Sequence, residues 1–345
     1  MDLMLSSEQE TIRDSIRDML RERMPPERVR AVMATDTGID RAFWHQAGEL
    51  GWFGLALPDA VGGAGYGLPE AMILFTELGR ALAPGPWLGS TLAAKALSKA
   101  ETLKSTLDGV LTGTQPVALV DDPADALGTG TTLDGTISGV ADLGVADHVL
   151  VVGSKDVRFA AARARGFTVA VELSMDPTRR LGTLTARGAE AEMIGAHAAA
   201  LRRMATVLTA AEAVGVAERT LEMSVEYGKV RQQFGKPIGT FQAIKHRCAD
   251  MAVRAEVARA VVVYASVAVE EGEADADFHV HSAKALATDA AIQNATDNVQ
   301  NHGGMGYTWE SDAHLYLKRA RVLEHTCGSR IAHLDALAAP WRAAG

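Results

Sequence analysis

The stretch "YGKVRQQFGKPIGTFQAIKH", residues 227–246, decides how this chain is read. It lies between two long helical patterns and breaks both. Arg231, Phe234, Gly235 and Gln242 stand in it at fixed offsets. Taken alone, Arg231 is a solvated loop arginine, and composition offers nothing against that reading. What surrounds the stretch has to decide.

From about residue 196 the pattern is helical. Met204, Val207, Leu208, Ala211, Val214, Leu221 and Val225 recur at helical spacing and form one apolar stripe. A second helix is expected from near Phe241 to Glu271, and a third from about Ala276 to Asn301. Long amphipathic helices with short loops predict an antiparallel helix bundle over residues 191–345. Upstream, residues 115–190 hold "QPVALVDD", "TTLDGTISGV", "DHVLVVGS" and "GFTVAVEL", short β-rich runs divided by turn residues. No helix-length segment separates them, so a small antiparallel β domain is expected. Residues 1–114 read as a helical domain. Ser7 with Glu10 forms a candidate capping box. Ile12, Ile16, Met19 and Leu20 then share a face, and Pro69 opens a helix that stops before Pro84. The glycine-rich "LPDAVGGAGYGLPE" lacks the lysine of a P-loop and a strand before it, and reads as a turn. The fold class is therefore α+β multi-domain, mostly α.

The chain has 345 residues, 48% of them hydrophobic, and a formal net charge of −9. That charge disfavours a nucleic-acid or anionic-membrane surface. No apolar run reaches the roughly eighteen residues of a membrane span. "MDLMLSSEQE" lacks a basic region followed by an apolar one, so no signal peptide is expected. Cys248 and Cys327 are too few for a disulfide framework or a four-cysteine metal site, so no metal is expected and a cytoplasmic setting is.

A second motif, "VQNHGGMGYTWE" at residues 299–310, narrows the reading. In this order and spacing the two motifs resemble the acyl-CoA dehydrogenase family, and the resemblance spans nearly the whole chain. It implies a C-terminal four-helix bundle and FAD bound at subunit interfaces. Arg231 would meet the pyrophosphate, for which a guanidinium gives charge-assisted, bidentate contacts. Phe234 would lie against the adenine end, and Gln233 and Gln242 would supply neutral hydrogen bonds. Gly303 and Gly304 would let backbone approach the dinucleotide, and Gln300 would reach it from a second chain. The resemblance also implies an acyl-CoA substrate and an electron-transfer flavoprotein as acceptor. The β domain departs from the pattern. Where the family carries a T-E-P-x-x-G-S-D-like strand, this chain reads "LVDDPADAL" at residues 119–127. Where the family has a tryptophan-containing strand, residues 138–152 have no tryptophan.

In the resembling enzymes a glutamate removes the proton α to the thioester, from one of two slots. Here those slots hold Ala205 and Cys327, and neither is a base. Glu324, one turn before Cys327, and Glu212, on the apolar helix, are the carboxylates left to consider. The plain reading pairs Glu212 with Arg247 or Arg254, and Glu324 with Arg321. His325 falls on another side of a helix from Cys327, which leaves the thiol without an activating partner. A short member without a base resembles the non-catalytic subunit of two-subunit acyl-CoA dehydrogenases, whose partner is a longer homologue in a heterotetramer. Two alternatives stay open: a complete homodimeric or homotetrameric dehydrogenase using Glu324 or Glu212, and a flavin-free acyl-CoA-binding or scaffold protein.

Overall fold

The computed structural model describes residues 4–343, and side chains of residues 4–339. The first three residues of the opening stretch and the last two of the chain lie outside it. The chain opens with α1 (Ser7–Arg23), α2 (Pro26–Met33), α3 (Arg41–Glu49), α4 (Leu68–Ala81), α5 (Trp87–Leu97) and α6 (Lys104–Leu111). Strands follow: β1 (Val117–Asp121), β2 (Thr132–Ala141), β3 (His148–Val152), β4 (Val157–Ala161), β5 (Phe167–Glu172), β6 (Leu181–Glu190) and β7 (Glu192–Ile194). Helix α7 (Ala198–Val230) leads into a hairpin of β8 (Gln232–Gln233) and β9 (Lys236–Pro237). Helices α8 (Gln242–Glu271), α9 (Ala276–His302), α10 (Ala313–His325) and α11 (Arg330–Ala343) complete the chain. Among the described residues no helix is long and apolar enough to cross a membrane.

Contacts divide the chain into two compact units. One gathers residues up to Pro26, Met72–Ala83, and everything from Thr206 onward. In it, α1 begins one residue earlier than the sequence suggested. Ser6 Oγ accepts from Gln9 N at 3.2 Å, and Gln9 Oε1 accepts from Ser6 N at 3.0 Å. The expected Ser7–Glu10 box is therefore Ser6–Gln9, since glutamine closes the box as well as glutamate does. Ile16 and Leu20 are buried as read.

The stripe read along α7 understates its burial. Every residue from Thr206 to Ala217 is buried, so this part of the helix is enclosed on all faces. Small residues make that possible. A Cβ on Gly79 would stand 2.1 Å from Glu212 O, and one on Gly215 would stand 1.9 Å from Thr76 O. Glycine on each helix lets α4 and α7 backbones touch. Beside this crossing Arg80 reaches Glu218 at 2.9 Å and Glu222 at 2.6 Å, and Tyr316 Oη donates to Arg80 O at 2.7 Å. Burial pushes the Tyr316 phenol up to about 12. Buried amides join the long helices. Asn294 Nδ2 donates to Ala217 O at 3.1 Å and Met251 O at 2.9 Å, and Ser224 Oγ donates to Asn298 Oδ1 at 2.9 Å.

The other unit holds Glu27–Ala71 and Pro84–Ala205. Its strands form two sheets, in the orders β1–β3–β4–β7 and β2–β6–β5. Pairing is antiparallel as expected except between β1 and β3, which run parallel. The reason is connectivity: between them the chain crosses through β2 of the other sheet and returns in the same direction. Val120, Leu133, Val149, Val151 and Leu184 fill the space between strands.

Candidate functional site

The stretch 227–246 ends α7, turns through the β8–β9 hairpin and starts α8. The turn leaves its side chains outside. Arg231, Gln233, Phe234 and Gln242 are all exposed, and so are Gln300 in the last turn of α9 and Gly303 and Gly304 after it. Among the described residues the Arg231 guanidinium makes no ion pair. Phe234 is 92% exposed and sits at φ 52°, in the left-handed region that bulky residues avoid. The ring lies outside the core and meets Phe241 edge-on, with centroids 6.0 Å apart.

The second motif ends beside the first. The Tyr227 ring stacks on His302 with centroids 4.2 Å apart, and Arg247 Nη1 donates to Asn301 Oδ1 at 2.8 Å. Burial pushes the His302 imidazole down, so it stacks as a neutral ring. Gly303 breaks α9 at φ 60°, ψ −141°, which only glycine adopts readily. A Cβ on Gly303 or Gly304 would meet nothing within 4 Å, so the backbone there is open to an approaching group. Behind the hairpin lies a cavity of about 480 Å³ walled by Val225, Gly228, Pro237 and Ile244, where burial pushes the Cys248 thiol up. A guanidinium, side-chain amides, open glycine backbone and an aromatic face together fit the pyrophosphate and adenine end of a dinucleotide.

The β-rich unit offers no such set in residues 119–127. Its polar atoms are used internally. Asp121 pairs with Arg202 at 3.0 Å, and burial pushes its carboxyl up. Asp122 accepts from Ala126 N at 2.6 Å and Leu127 N at 3.0 Å. Asp125 accepts from Ser154 N at 2.7 Å and Ser154 Oγ at 2.5 Å, which holds its carboxyl low. Arg158, fully buried, donates to Gly128 O at 2.6 Å. These residues do not fit the ring end of a flavin, because the carboxylates and amides that could face it hold the loop shut.

The carboxylates considered from sequence are both paired. Glu212 Oε1 lies 2.6 Å from Arg319 Nη1, and both residues are buried. The partner is thus Arg319 of α10, not Arg247 or Arg254, which bond instead to Asn301 and Asn294. Glu324 pairs with Arg321 at 3.2 Å as expected. Ala205 is buried in α7. One turn further along that helix, Thr209 Oγ1 donates to Cys327 Sγ at 3.7 Å. Cys327 itself is not helical. Helix α10 stops at His325, and Cys327 takes φ 58° in the turn before α11. The helical-face argument that separated His325 from Cys327 therefore does not apply.

Sequence reading missed the groups around this turn. Lys284, fully buried in α9, donates from Nζ to Leu323 O at 3.0 Å, Glu324 O at 3.2 Å and Gly328 O at 3.1 Å. His333 Nε2 bonds to Cys327 O at 2.9 Å, and its Nδ1 meets His281 Nδ1 at 2.8 Å. Burial pulls Lys284 down to about 8 and His333 to about 4. The available signal was His281 and Lys284 three residues apart in the alanine-rich "HSAKALATDAA", one polar patch on an otherwise buried helix face.

Family comparisons agree with this architecture. Models of the acyl-CoA dehydrogenase N-terminal domain and C-terminal domain match residues 6–106 and 198–340. The chain belongs to the acyl-CoA dehydrogenase family. It is 38% identical over 315 residues to the acyl-CoA dehydrogenase IpdE2 of Mycobacterium tuberculosis, covering 91% of each chain. Among solved structures it resembles the ChsE4–ChsE5 complex from Mycobacterium tuberculosis, at 26% identity, TM-score 0.89 and 99% coverage of both chains. It also resembles the Tcur3481–Tcur3483 steroid ACAD, at 27% identity and TM-score 0.88, covering 98% of this chain and 99% of that one.

Proposed function

We propose that this chain is a subunit of an acyl-CoA dehydrogenase-type flavoprotein that lends its hairpin end to an FAD held mainly by a second, longer homologue. One observation carries the reading. The exposed Arg231–Gly304 set and the Cys327 turn lie at opposite ends of the same helices. Thr209 meets Cys327 and Val230 precedes Arg231, 21 residues along α7, or about 32 Å at 1.5 Å per residue. Lys284 and His302 are 18 residues apart in α9, or about 27 Å. Two ends so far apart serve two different cofactor positions, so the hairpin end works with another chain.

FAD supplies the hydride acceptor for α,β-dehydrogenation of a CoA thioester. In this chain Arg231 would hold the pyrophosphate, Phe234 and Gln242 the adenine side, and Gln300, Gly303 and Gly304 the backbone-facing side. The ring end and the base come from the partner, since Ala205 and Cys327 occupy both base slots and residues 119–127 are closed on themselves. Homo-oligomeric catalysis through Glu212 is disfavoured by its buried pairing with Arg319, and through Glu324 by its pairing with Arg321. A flavin-free scaffold has no use for an exposed phenylalanine in a left-handed turn. The named likeness to a steroid ACAD makes a bulky polycyclic or side-chain CoA ester the substrate class to try, with an electron-transfer flavoprotein as acceptor.

The test is flavin content and acyl-CoA-dependent bleaching of the purified chain, alone and assembled with a co-encoded longer homologue. Flavin and turnover only in the assembly are expected. A full flavin complement and fast dye reduction by this chain alone would overturn the reading.

A further inference from the structure

The turn between α10 and α11 carries a non-glycine residue in the left-handed region. A helix end leaves its last carbonyls without intrahelical donors, and a glycine in the left-handed position is the usual remedy. Here Cys327 occupies such a position at φ 58°. The chain's own cap is slight: Thr326 N and Thr326 Oγ1 both bond to Val322 O, at 3.2 and 3.0 Å. That leaves Leu323, Glu324, Cys327 and Gly328 to be served from elsewhere.

All four are served from neighbouring helices. The three donors of the Lys284 ammonium go to Leu323 O, Glu324 O and Gly328 O. His333 Nε2 serves Cys327 O, and His281 Nδ1 donates to His333 Nδ1, which fixes both tautomers. An ammonium has three hydrogens and no acceptor, so Lys284 is fully used. Within α9, Thr288 Oγ1 donates to the Lys284 carbonyl at 2.8 Å. The turn's shape is thereby dictated by a side chain 43 residues before Cys327.

We infer that Lys284 is the positioning residue of this turn and sets where the side chain of residue 327 stands. The inference is independent of the flavin reading. Without the ammonium, the buried Leu323 carbonyl and the half-buried Glu324 and Gly328 carbonyls lose the Lys284 donor and turn to water, which opens the turn and swings Cys327 off Thr209. His333 alone cannot hold it, because its single bond reaches only Cys327 O.

The experiment reads the two cysteines of the full-length chain against each other. Both are half-buried, and Cys248 lies on α8 beside Asn301, away from the turn. A short iodoacetamide pulse at 25 °C, followed by peptide mass spectrometry, gives each thiol's native-state alkylation rate. Lys284→Met keeps the stem and removes the ammonium. It should speed Cys327 alkylation about tenfold or more, by local opening, with Cys248 unchanged. Lys284→Gln, with two donors, should fall between and covers the case in which the methionine variant does not fold. Equal acceleration at both cysteines would mean that Lys284 supports only global stability. No acceleration at Cys327 would mean that the turn holds its own shape. Either result overturns the inference.

Discussion

Glu212 separates two readings of this protein, and one substitution decides between them. Glu212→Gln removes a carboxylate but keeps size and hydrogen-bonding capacity. If Glu212 is the structural partner of Arg319, the variant leaves a fully buried guanidinium without its counter-charge. Breaking a buried pair from one side costs about 3–5 kcal/mol. For domains of 150–250 residues each kcal/mol moves the melting point by about 2–4 °C, so a cost near the lower end lowers Tm by roughly 6–12 °C. Removing both charges should recover much of the loss, because the Glu212→Met/Arg319→Met double variant buries no ion. A double-mutant cycle among Glu212→Gln, Arg319→Met and the combination should give a coupling of about 0.5–3 kcal/mol. Thermal and urea denaturation measure the stability, and acyl-CoA-dependent bleaching of the assembled enzyme measures function. Glu212→Gln with wild-type Tm and no bleaching would refute the structural assignment and make Glu212 the base. The geometry argues the other way. The backbone of Glu212 lies against Gly79 at the α4 crossing, which leaves the residue no room to move toward a substrate.

Arg231→Ala should weaken flavin retention in the assembly by about 10- to 150-fold, as expected for a charge-assisted hydrogen bond worth about 1.5–3 kcal/mol; unchanged flavin-to-protein absorbance after dialysis would refute its role. His333 is held near 4 against an ordinary 6.5, so it is neutral in the fold and the unfolded chain takes up its proton first. Its stabilising contribution is complete above pH 6.5 and is lost as pH falls toward 4; allowing for solvent near the ring, that is about 1–2 kcal/mol. The difference in urea midpoint between pH 7.5 and pH 5 should shrink in His333→Gln, and an unchanged difference would count against the assignment. Cys327→Glu, in an assembly whose partner lacks its own glutamate, should restore acyl-CoA-dependent flavin bleaching that Cys327→Gln does not, since a positioned base contributes about 10²–10⁴-fold.

Periodic and local features of this fold were legible in the sequence. The limits of α8 and α9 follow from apolar spacing and come within one residue of the expected ones. The hairpin motif was legible because its charged, aromatic and glycine positions stand at fixed offsets in the sequence itself. What sequence could not show is who meets whom across the core. Glu212 was matched to arginines of α8 by composition, but its partner, Arg319, comes from α10, 107 residues away. The burial of Lys284 was hidden as well, because it is decided by neighbouring helices and not by its own. The parallel β1–β3 pair was hidden for the same reason: strand runs reveal existence, while direction depends on which sheet the intervening strand joins.

The proposed subunit role sets different requirements on the two ends of this chain. A hairpin that touches another chain's cofactor needs only to be exposed, correctly shaped and unpaired internally. Arg231, Phe234 and the open backbone at Gly303 meet those conditions at a cost in backbone strain that a folded monomer has no reason to bear. A base slot needs the opposite: a carboxylate left unpaired beside a substrate. Here Cys327 contacts Thr209, Lys284 ties the surrounding carbonyls, and the nearest carboxylate, Glu324, is turned to Arg321. Both ends hold a non-glycine residue in the left-handed region, Phe234 at φ 52° and Cys327 at φ 58°, but the first lies exposed while the second is tied in by neighbouring side chains. Under the proposed reading, a self-sufficient enzyme would need an unpaired carboxylate at the second end as well. A subunit whose partner supplies the chemistry needs only the first.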